Sequence, residues 1–480
     1  MAGFLNVYTI SIFVALGGSL FGFDIASISG VVGTEQYMKF YGNPLGVTQG
    51  AITSSMAVGS VVGALSSSFV GDKFSRKQSI QAGTVLWCIG ATIQATSNGV
   101  PMLIAGRAIA GLCIGLTSAL YYIEYACSFI NSEVAFRIPW ALQIVPAIIL
   151  LIGLFWFPYS PRWLGSVDRW DEALRVIAFL RTSNKDTNDP RVLAEFREIE
   201  EQIRSEYEES SNSYRELFSK KIRQRLFLSM AVQVWSQLAG MNVMMYYTVY
   251  VLQSAGIAHA RLLVSFQFVV DVIMTIPCLL WTDKWGRRPS LMVGSIFMAL
   301  WFYIIGGLLV RYGQPNPVTN QPYTWIIVGH RAASGTILAW WAPISWLYPT
   351  EVAPVRVRAK SVALATAANW AANFALGFAV PPMLRSISWR MFFIFGSFNI
   401  AAFIHVLFAL PDTKQRTLEE MDEIFEHGQP LWKTFVAKGG TDRLDKLAKE
   451  IEMGTVDAAQ PGLITPGSFF SCCPSMFGNK

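Results

Sequence analysis

Apolar residues run along this chain in long stretches separated by short polar junctions, at about residues 7–32, 50–70, 79–97, 101–130, 138–158, 226–252, 262–282, 290–311, 323–348, 361–384 and 391–410. Most approach the ~20 residues that carry a helix, at 1.5 Å rise each, across a ~30 Å hydrocarbon core, so they predict membrane-spanning helices. The interval Ser160–Arg225 has another rhythm. There RWDEALRVIAFLR and DPRVLAEFREIEEQIRSEY combine helical periodicity with mixed charge, which predicts a cluster of soluble helices between two sets of spans. After Pro411, TLEEMDEIF predicts a short acidic amphipathic helix, and a Gly, Ser and Pro-rich stretch predicts a loose end. The expected layout is a first bundle over 1–159, a cytoplasmic helical insert over 160–225, a second bundle over 226–410 and a cytoplasmic tail over 411–480.

Composition agrees with this pattern. With 52% hydrophobic, 13% aromatic and only 15% charged residues in 480, the chain is too evenly apolar for a soluble protein and reads as an all-α polytopic membrane protein. The first stretch lacks a basic leader and carries Asp24 in its interior, so it reads as a retained span and not as a secretion signal. The cysteines Cys88, Cys113, Cys127, Cys278, Cys472 and Cys473 have neither metal-ligand nor disulfide-framework spacing. A net charge of +6 could suggest nucleic acid, but the basic residues cluster at span ends, which is the membrane orientation signal. The clusters at Lys73, Arg76 and Lys77, throughout the insert, at Lys284, Arg287 and Arg288, and at Arg356, Arg358 and Lys360 would all be cytoplasmic, together with both termini. That topology needs an even number of crossings, whereas the stretches number eleven.

An internal repeat locates the discrepancy. GDKFSRK at Gly71 matches TDKWGRR at Thr282, GRAIAGLCIG at Gly106 matches HRAASGTILA at His330, and FPYSPRWL at Phe157 matches LPDTKQRTL at Leu410. From Arg107 to Pro158 is 51 residues, but from Arg331 to Pro411 is 80, so the first half is 29 residues short at one place. Glu351 follows Arg331 by 20 residues, whereas Glu124 follows Arg107 by 17, out of register. The stretch GLTSALYYIEYACSFI, residues 115–130, therefore reads as the start of a fourth span joined directly to the end of a fifth. The 30 residues from Pro101 to Ile130 would make a helix of roughly 45 Å, too long for one crossing and too short for two.

Paired DKxGRR-type loops, a GR in the fourth span, PxSPRWL after the sixth and PDTK after the last resemble the sugar porter family of the major facilitator superfamily, over about residues 10–426. The resemblance implies two pseudo-symmetric helix bundles, a sugar site at mid-membrane between them, and alternating access by rocking of the halves. About eleven spans would be present in place of twelve.

The charged loops suggest an inside gate. Asp72 with Arg76 and Lys77, and Asp283 with Arg287 and Arg288, set opposite charges at helix ends, where they can cross-link bundles in one conformation and part in the other. Glu351 and Arg162 resemble further members of that gate in the family. The alternative reading is that the clusters only anchor helix ends at the headgroups. Ser75 stands where the second repeat has Gly286, which predicts some distortion of the first loop. Asp24 and Arg107 are ionisable groups within spans and are expected to be partners. A carboxylate that trades an arginine for a proton would couple proton entry to helix movement, and a static ion pair is the competing reading.

A sugar site needs amides and hydroxyls for the sugar hydroxyls and aromatic faces for the ring. The resemblance carries over Gln237, Asn242 and Tyr246 from QVWSQLAGMNVMMYY, with Gln233 nearby. It also carries over Trp346 as the stacking face from WAPISWLYPTE, and Asn369, Trp370 and Asn373 from NWAAN. Ser236 replaces a second glutamine, and Asp271 replaces a neutral asparagine. Asp271 would bind hydroxyls as an acceptor or titrate as a second proton site, or is simply tolerated beside water.

The expected function is hexose or pentose transport with proton symport, in the plasma membrane. The expected partners are a small sugar, protons and the lipid bilayer. Neither nucleic acid nor a cofactor is expected, and no enzymatic residue set is apparent. A sugar-sensing receptor of the same fold and a transport-inactive paralogue lacking the fifth span are the competing readings.

Overall fold

The computed structural model describes residues 31, 35–42, 44, 46–112, 134–181, 186–209, 214–219, 222–240, 246–247, 282, 284–312, 341–354, 357–414, 421 and 424–425. The described residues are helical, with no strand among them. They form α1 (Glu35–Phe40), α2 (Val47–Ala95), α3 (Val100–Gly111), α4 (Val134–Leu142), α5 (Ile144–Leu154), α6 (Pro161–Ser166), α7 (Trp170–Arg181), α8 (Pro190–Glu209), α9 (Arg223–Leu238), α10 (Arg287–Tyr312), α11 (Ala342–Val352), α12 (Arg358–Ser386) and α13 (Arg390–Ala409). A 3-10 turn over Tyr214–Phe218 precedes α9. Among the described residues, four helices are long and apolar enough to cross a membrane: Val47–Ser67, Arg287–Arg311, Arg358–Ser386 and Arg390–Ala409. Shorter apolar helices occupy Val100–Gly111 and Trp140–Leu154. In the latter, Gln143 keeps helical angles between α4 and α5. The exposed faces of these helices are apolar, as a lipid solvent demands; Ile149 and Ile152 on α5, Ile296 and Leu300 on α10, and Ile404 and Phe408 on α13 all point outward.

α2 is two helical arms joined by a break. Ser75 within it has φ 75° and ψ 152°, and Met56 of the first arm shares a buried cluster with Trp87 and Ala91 of the second. The chain therefore reverses at the loop. Serines in the first arm return their hydroxyls to the preceding helical turn, as in Ser54 Oγ to Gly50 O at 2.7 Å, which satisfies them in an apolar setting. Small residues let α2 and α3 approach closely. A Cβ on Gly59 would lie 1.8 Å from Ala108 O, and one on Gly111 would lie 2.1 Å from Met56 O. Ser60 adds a cross-helix bond, Oγ to Gly111 O at 3.0 Å.

The same arm of α2 packs against α12 of the other half. A Cβ on Gly50 would lie 2.8 Å from Phe378 O, Gly377 faces Ser54, and Ala57 and Ala64 share a cluster with Ala367 and Trp370. This seam of small side chains is the junction between the two repeats along those helices. The chain divides into two compact units, one of residues 1–157 and 211–438, the other of 158–210 and 439–480. In the second, α6, α7 and α8 enclose Leu164, Ala173, Ile177, Ala178, Val192 and Phe196, with the Trp170 and Phe196 rings edge-to-face at 5.7 Å. In the first, Leu217 and Ile222 pack with Leu226 and Val357, so the residues just before α9 belong with the membrane helices.

Candidate functional site

α9 carries Gln233 and Gln237 one turn apart on its buried face, and α12 carries Asn369 and Asn373 at the same spacing. The two faces meet in a chain of amides. Asn373 Nδ2 donates to Gln237 Oε1 at 3.3 Å, Gln237 Nε2 to Asn369 Oδ1 at 2.8 Å, and Asn369 Nδ2 to Gln233 Oε1 at 2.5 Å. Asn369 Nδ2 also lies 3.3 Å from the Gln233 carbonyl. All four side chains are buried, and Ser236 is buried on the same helix. Polar groups in such a place cost several kcal/mol if left unpaired, and mutual bonding offsets that cost while keeping donors and acceptors available.

The aromatic candidates divide. Tyr246 is buried, 6.3 Å from the Tyr247 ring, and Tyr247 donates its hydroxyl to Gly377 O at 2.7 Å, tying the chain beyond α9 to α12. Trp370 is buried in the seam with Ala57, Ala64 and Ala367. Trp346 is 43% exposed on α11, beside the buried Ser345. Asn242 and Asp271 lie outside the described residues.

Of the expected coupling pair, Asp24 lies outside the described residues. Arg107 is fully buried on α3, with Nε donating to Ile52 O at 3.0 Å and Nη2 4.0 Å from Met56 Sδ, so its guanidinium lies against the first arm of α2.

The charged loops gather as follows. Gly286 has φ 97°, and a Cβ there would lie 2.4 Å from Asp412 Oδ2, so only glycine fits both the angle and the approach. Behind it Asp412 accepts from Arg287 N at 3.0 Å, placing a carboxylate at the start of α10, where the helix dipole favours it. Arg287 pairs with Glu351 at the end of α11, with Nη2 2.7 Å from Oε1 and Nε 3.1 Å from both oxygens. Thr413 Oγ1 donates to Glu351 Oε2 at 2.5 Å, and Tyr348 donates to Pro411 O at 3.2 Å. Arg288 Nη2 donates to Leu407 O at 2.7 Å, capping the end of α13. Lys77, its counterpart in the first repeat, donates to Phe157 O at 2.8 Å, just past α5. Each repeat thus uses one basic residue of its loop to cap the last helix of its own half.

These bonds of Lys77, Arg287, Arg288 and Glu351 all run within a half and not between halves. The side chains of Asp72, Arg76 and Asp283 lie outside the described residues. Arg162 opens α6 in the second compact unit. Sequence reasoning did not single out Asp412 and Thr413 for this cluster, although the recurrence of the motif that contains them was visible.

Comparison with known proteins fits this arrangement. The family model described as "Sugar (and other) transporter" matches residues 10–126 and 120–425, in two blocks that meet inside the stretch 115–130. An MFS glucose transporter of Aspergillus flavus is 42% identical over 506 aligned positions, covering 94% of this chain and 95% of that one. Those 506 positions cover 94% of 480 residues, so about 55 of them fall opposite gaps in this chain. A high-affinity glucose transporter of Kluyveromyces lactis is 39% identical, covering 89% of this chain and 87% of that one. The fold is similar to that of the proton:xylose symporter XylE bound to 6-bromo-6-deoxy-D-glucose, with a TM-score of 0.73 at 22% identity, over 87% of this chain and 98% of that one.

Proposed function

The chain belongs to the sugar porter family of the major facilitator superfamily, and on that premise we propose that it carries a hexose or pentose across a membrane by alternating access, in symport with protons. It is a multi-pass membrane protein. The observation that carries the sugar reading is the buried amide chain from Gln233 to Asn373, next to the seam between the repeats. Sugar hydroxyls are both donors and acceptors, and primary amides complement them in either sense. An empty site whose amides bond one another stays ordered, and the incoming sugar exchanges those bonds for its own at little net cost. Asn242, Tyr246, Asp271 and Trp346 complete the proposed site, with Trp370 contributing from the seam.

Glucose is the named substrate of both fungal relatives, and the aligned symporter is proton-coupled. On that analogy Asp24 takes up the proton and Arg107 is its partner. The plasma membrane is the proposed location, with the insert and both termini in the cytoplasm, in keeping with the basic clusters at span ends. The loop cluster around Arg287 and Glu351 is the proposed inside gate, held together within each half so that the halves move as units.

The chain is proposed to lack the fifth span. The repeat ruler, the two-block family match and the gaps against the Aspergillus relative support this reading. The test is counterflow of radiolabelled glucose and xylose in proteoliposomes, run on this chain and on one with a relative's fifth span inserted within 115–130. Saturable, sugar-selective counterflow by the restored chain is expected. No sugar-selective flux from either protein, both being folded, would overturn the transport reading. Activity in the restored chain alone would mark the junction as a lesion.

A further inference from the structure

α9 ends at Leu238, directly after the two glutamines of the amide chain. Ala239 N still bonds Trp235 O at 2.8 Å and Gly240 N bonds Gln237 O at 3.0 Å, but Gly240 has φ 89° and the helix stops there. The end sits in a notch. A Cβ on Gly240 would lie 2.6 Å from Phe302 Cζ on α10 and 3.3 Å from Phe395 Cδ1 on α13. Asn399, one turn beyond Phe395 and fully buried, reaches into this notch. Its Nδ2 donates to Ala239 O at 3.2 Å and to Phe395 O at 2.8 Å. Both neighbours are carbonyl oxygens, which fixes the amide with its nitrogen toward them. Its Oδ1 is buried with no hydrogen-bond partner among the described residues.

The last carbonyls of a helix lack intrahelical donors, and a buried side-chain amide can satisfy one of them. An apolar residue at 399 would avoid the unpaired Oδ1, so the amide costs stability there and returns only the bonds its nitrogen makes. One of those two bonds holds the break that follows Gln237. We propose that Asn399 is a positioning residue for the sugar site: its bond to Ala239 O fixes the end of α9, and with it the orientation of Gln233 and Gln237 toward Asn369. The inference rests on the amide chain being the sugar site, and it adds a residue of the last span that acts through the backbone of Ala239.

The test uses the full chain, purified in nanodiscs, as Asn399→Leu and Asn399→Ala. Leucine matches asparagine in side-chain heavy atoms but has no donor and is bulkier, whereas alanine leaves a void, so the pair brackets packing from both sides while both remove the bond. Hydrogen exchange is read on a peptide spanning residues 233–247, and glucose binding by calorimetry. In both variants exchange at Ala239 and Gly240 should rise about tenfold, and glucose affinity should fall by a similar factor, the usual scale for one lost buried hydrogen bond. Thermal melts show that each variant is folded before the exchange data are compared. Parent-like exchange in a folded leucine variant, with only alanine impaired, would show packing alone and overturn the proposal, as would unchanged exchange in both. If neither the unmodified chain nor the one with its fifth span restored binds sugar, the sugar reading fails while the exchange data still decide whether Asn399 holds the break.

Discussion

Replacing Asn369 with alanine tests the amide chain at its middle link. Asn369 Nδ2 donates to Gln233 Oε1 while Oδ1 accepts from Gln237 Nε2, so one truncation strands a buried acceptor on one side and a buried donor on the other. All three residues are at most 5% exposed, which makes compensation by bulk water difficult. A stranded buried group costs about 1–3 kcal/mol, and water admitted to the vacated space recovers part of that. The net loss of sugar binding should be about 1–3 kcal/mol, or roughly 5- to 150-fold in Kd. Asn369→Asp should be at least as damaging, because a carboxylate still accepts from Gln237 but opposes the Gln233 oxygen with like polarity. Calorimetry of glucose binding to the purified variants, with thermal melts alongside, measures both. Ile149→Ala, on the exposed face of α5, serves as control and should bind as the parent does. An Asn369→Ala protein that melts like the parent and binds glucose within about twofold of it would refute the claim that this amide chain receives the sugar.

Ser75→Gly should stabilise the protein by about 1–3 kcal/mol, because φ 75° with ψ 152° is a region that essentially only glycine adopts; a thermal melt that fails to rise would show the serine to be unstrained. A double-mutant cycle over Arg287→Gln and Glu351→Gln should give a coupling energy of about 1–3 kcal/mol in unfolding, since the pair is largely buried and bidentate, and additive effects would deny the pair any specific role. Asp24→Asn, in the chain with its fifth span restored, should abolish accumulation against a gradient and the pH dependence of uptake while sparing sugar binding; persistent uphill uptake would remove Asp24 from coupling. A cysteine at the exposed Arg191 of α8 should react with an impermeant maleimide only after cells are permeabilised, and labelling of intact cells would place the insert outside.

The helices of the insert, the doubled loop motifs and those spans that fall within the described residues are legible in the sequence because each is a local or periodic signal. Twenty apolar residues have few other uses, and a repeat supplies its own ruler. That ruler placed an irregularity at 115–130, where the two blocks of the family match meet. The mismatch of Ser75 with Gly286 was also visible as a departure from the repeat, and both residues turn out to have positive φ. The individual amides of α9 and α12 could be nominated one by one, since polar residues in apolar helices need a purpose.

Their connections were not legible. Gln237 and Asn369 are 132 positions apart, and whether they meet depends on the rotation and crossing of α9 and α12, which no local pattern in the sequence fixes. Charge suggested that the loop clusters can cross-link the two bundles in one conformation and part in another, but not which acceptors they take here. Lys77 and Arg288 bond carbonyls at the last helix of their own halves and Arg287 bonds Glu351, partners distant in sequence that only the fold brings near. Asn399 had no signal at all, as a lone asparagine in FFIFGSFNIAAF is indistinguishable from a tolerated polar residue. Its proposed role comes from the notch between Phe302 and Phe395, where α9 ends and Ala239 O accepts from it. Composition and period determined which segments enter the membrane; which polar groups find one another there was decided by helix packing, since an unpaired group in that medium is too costly to keep.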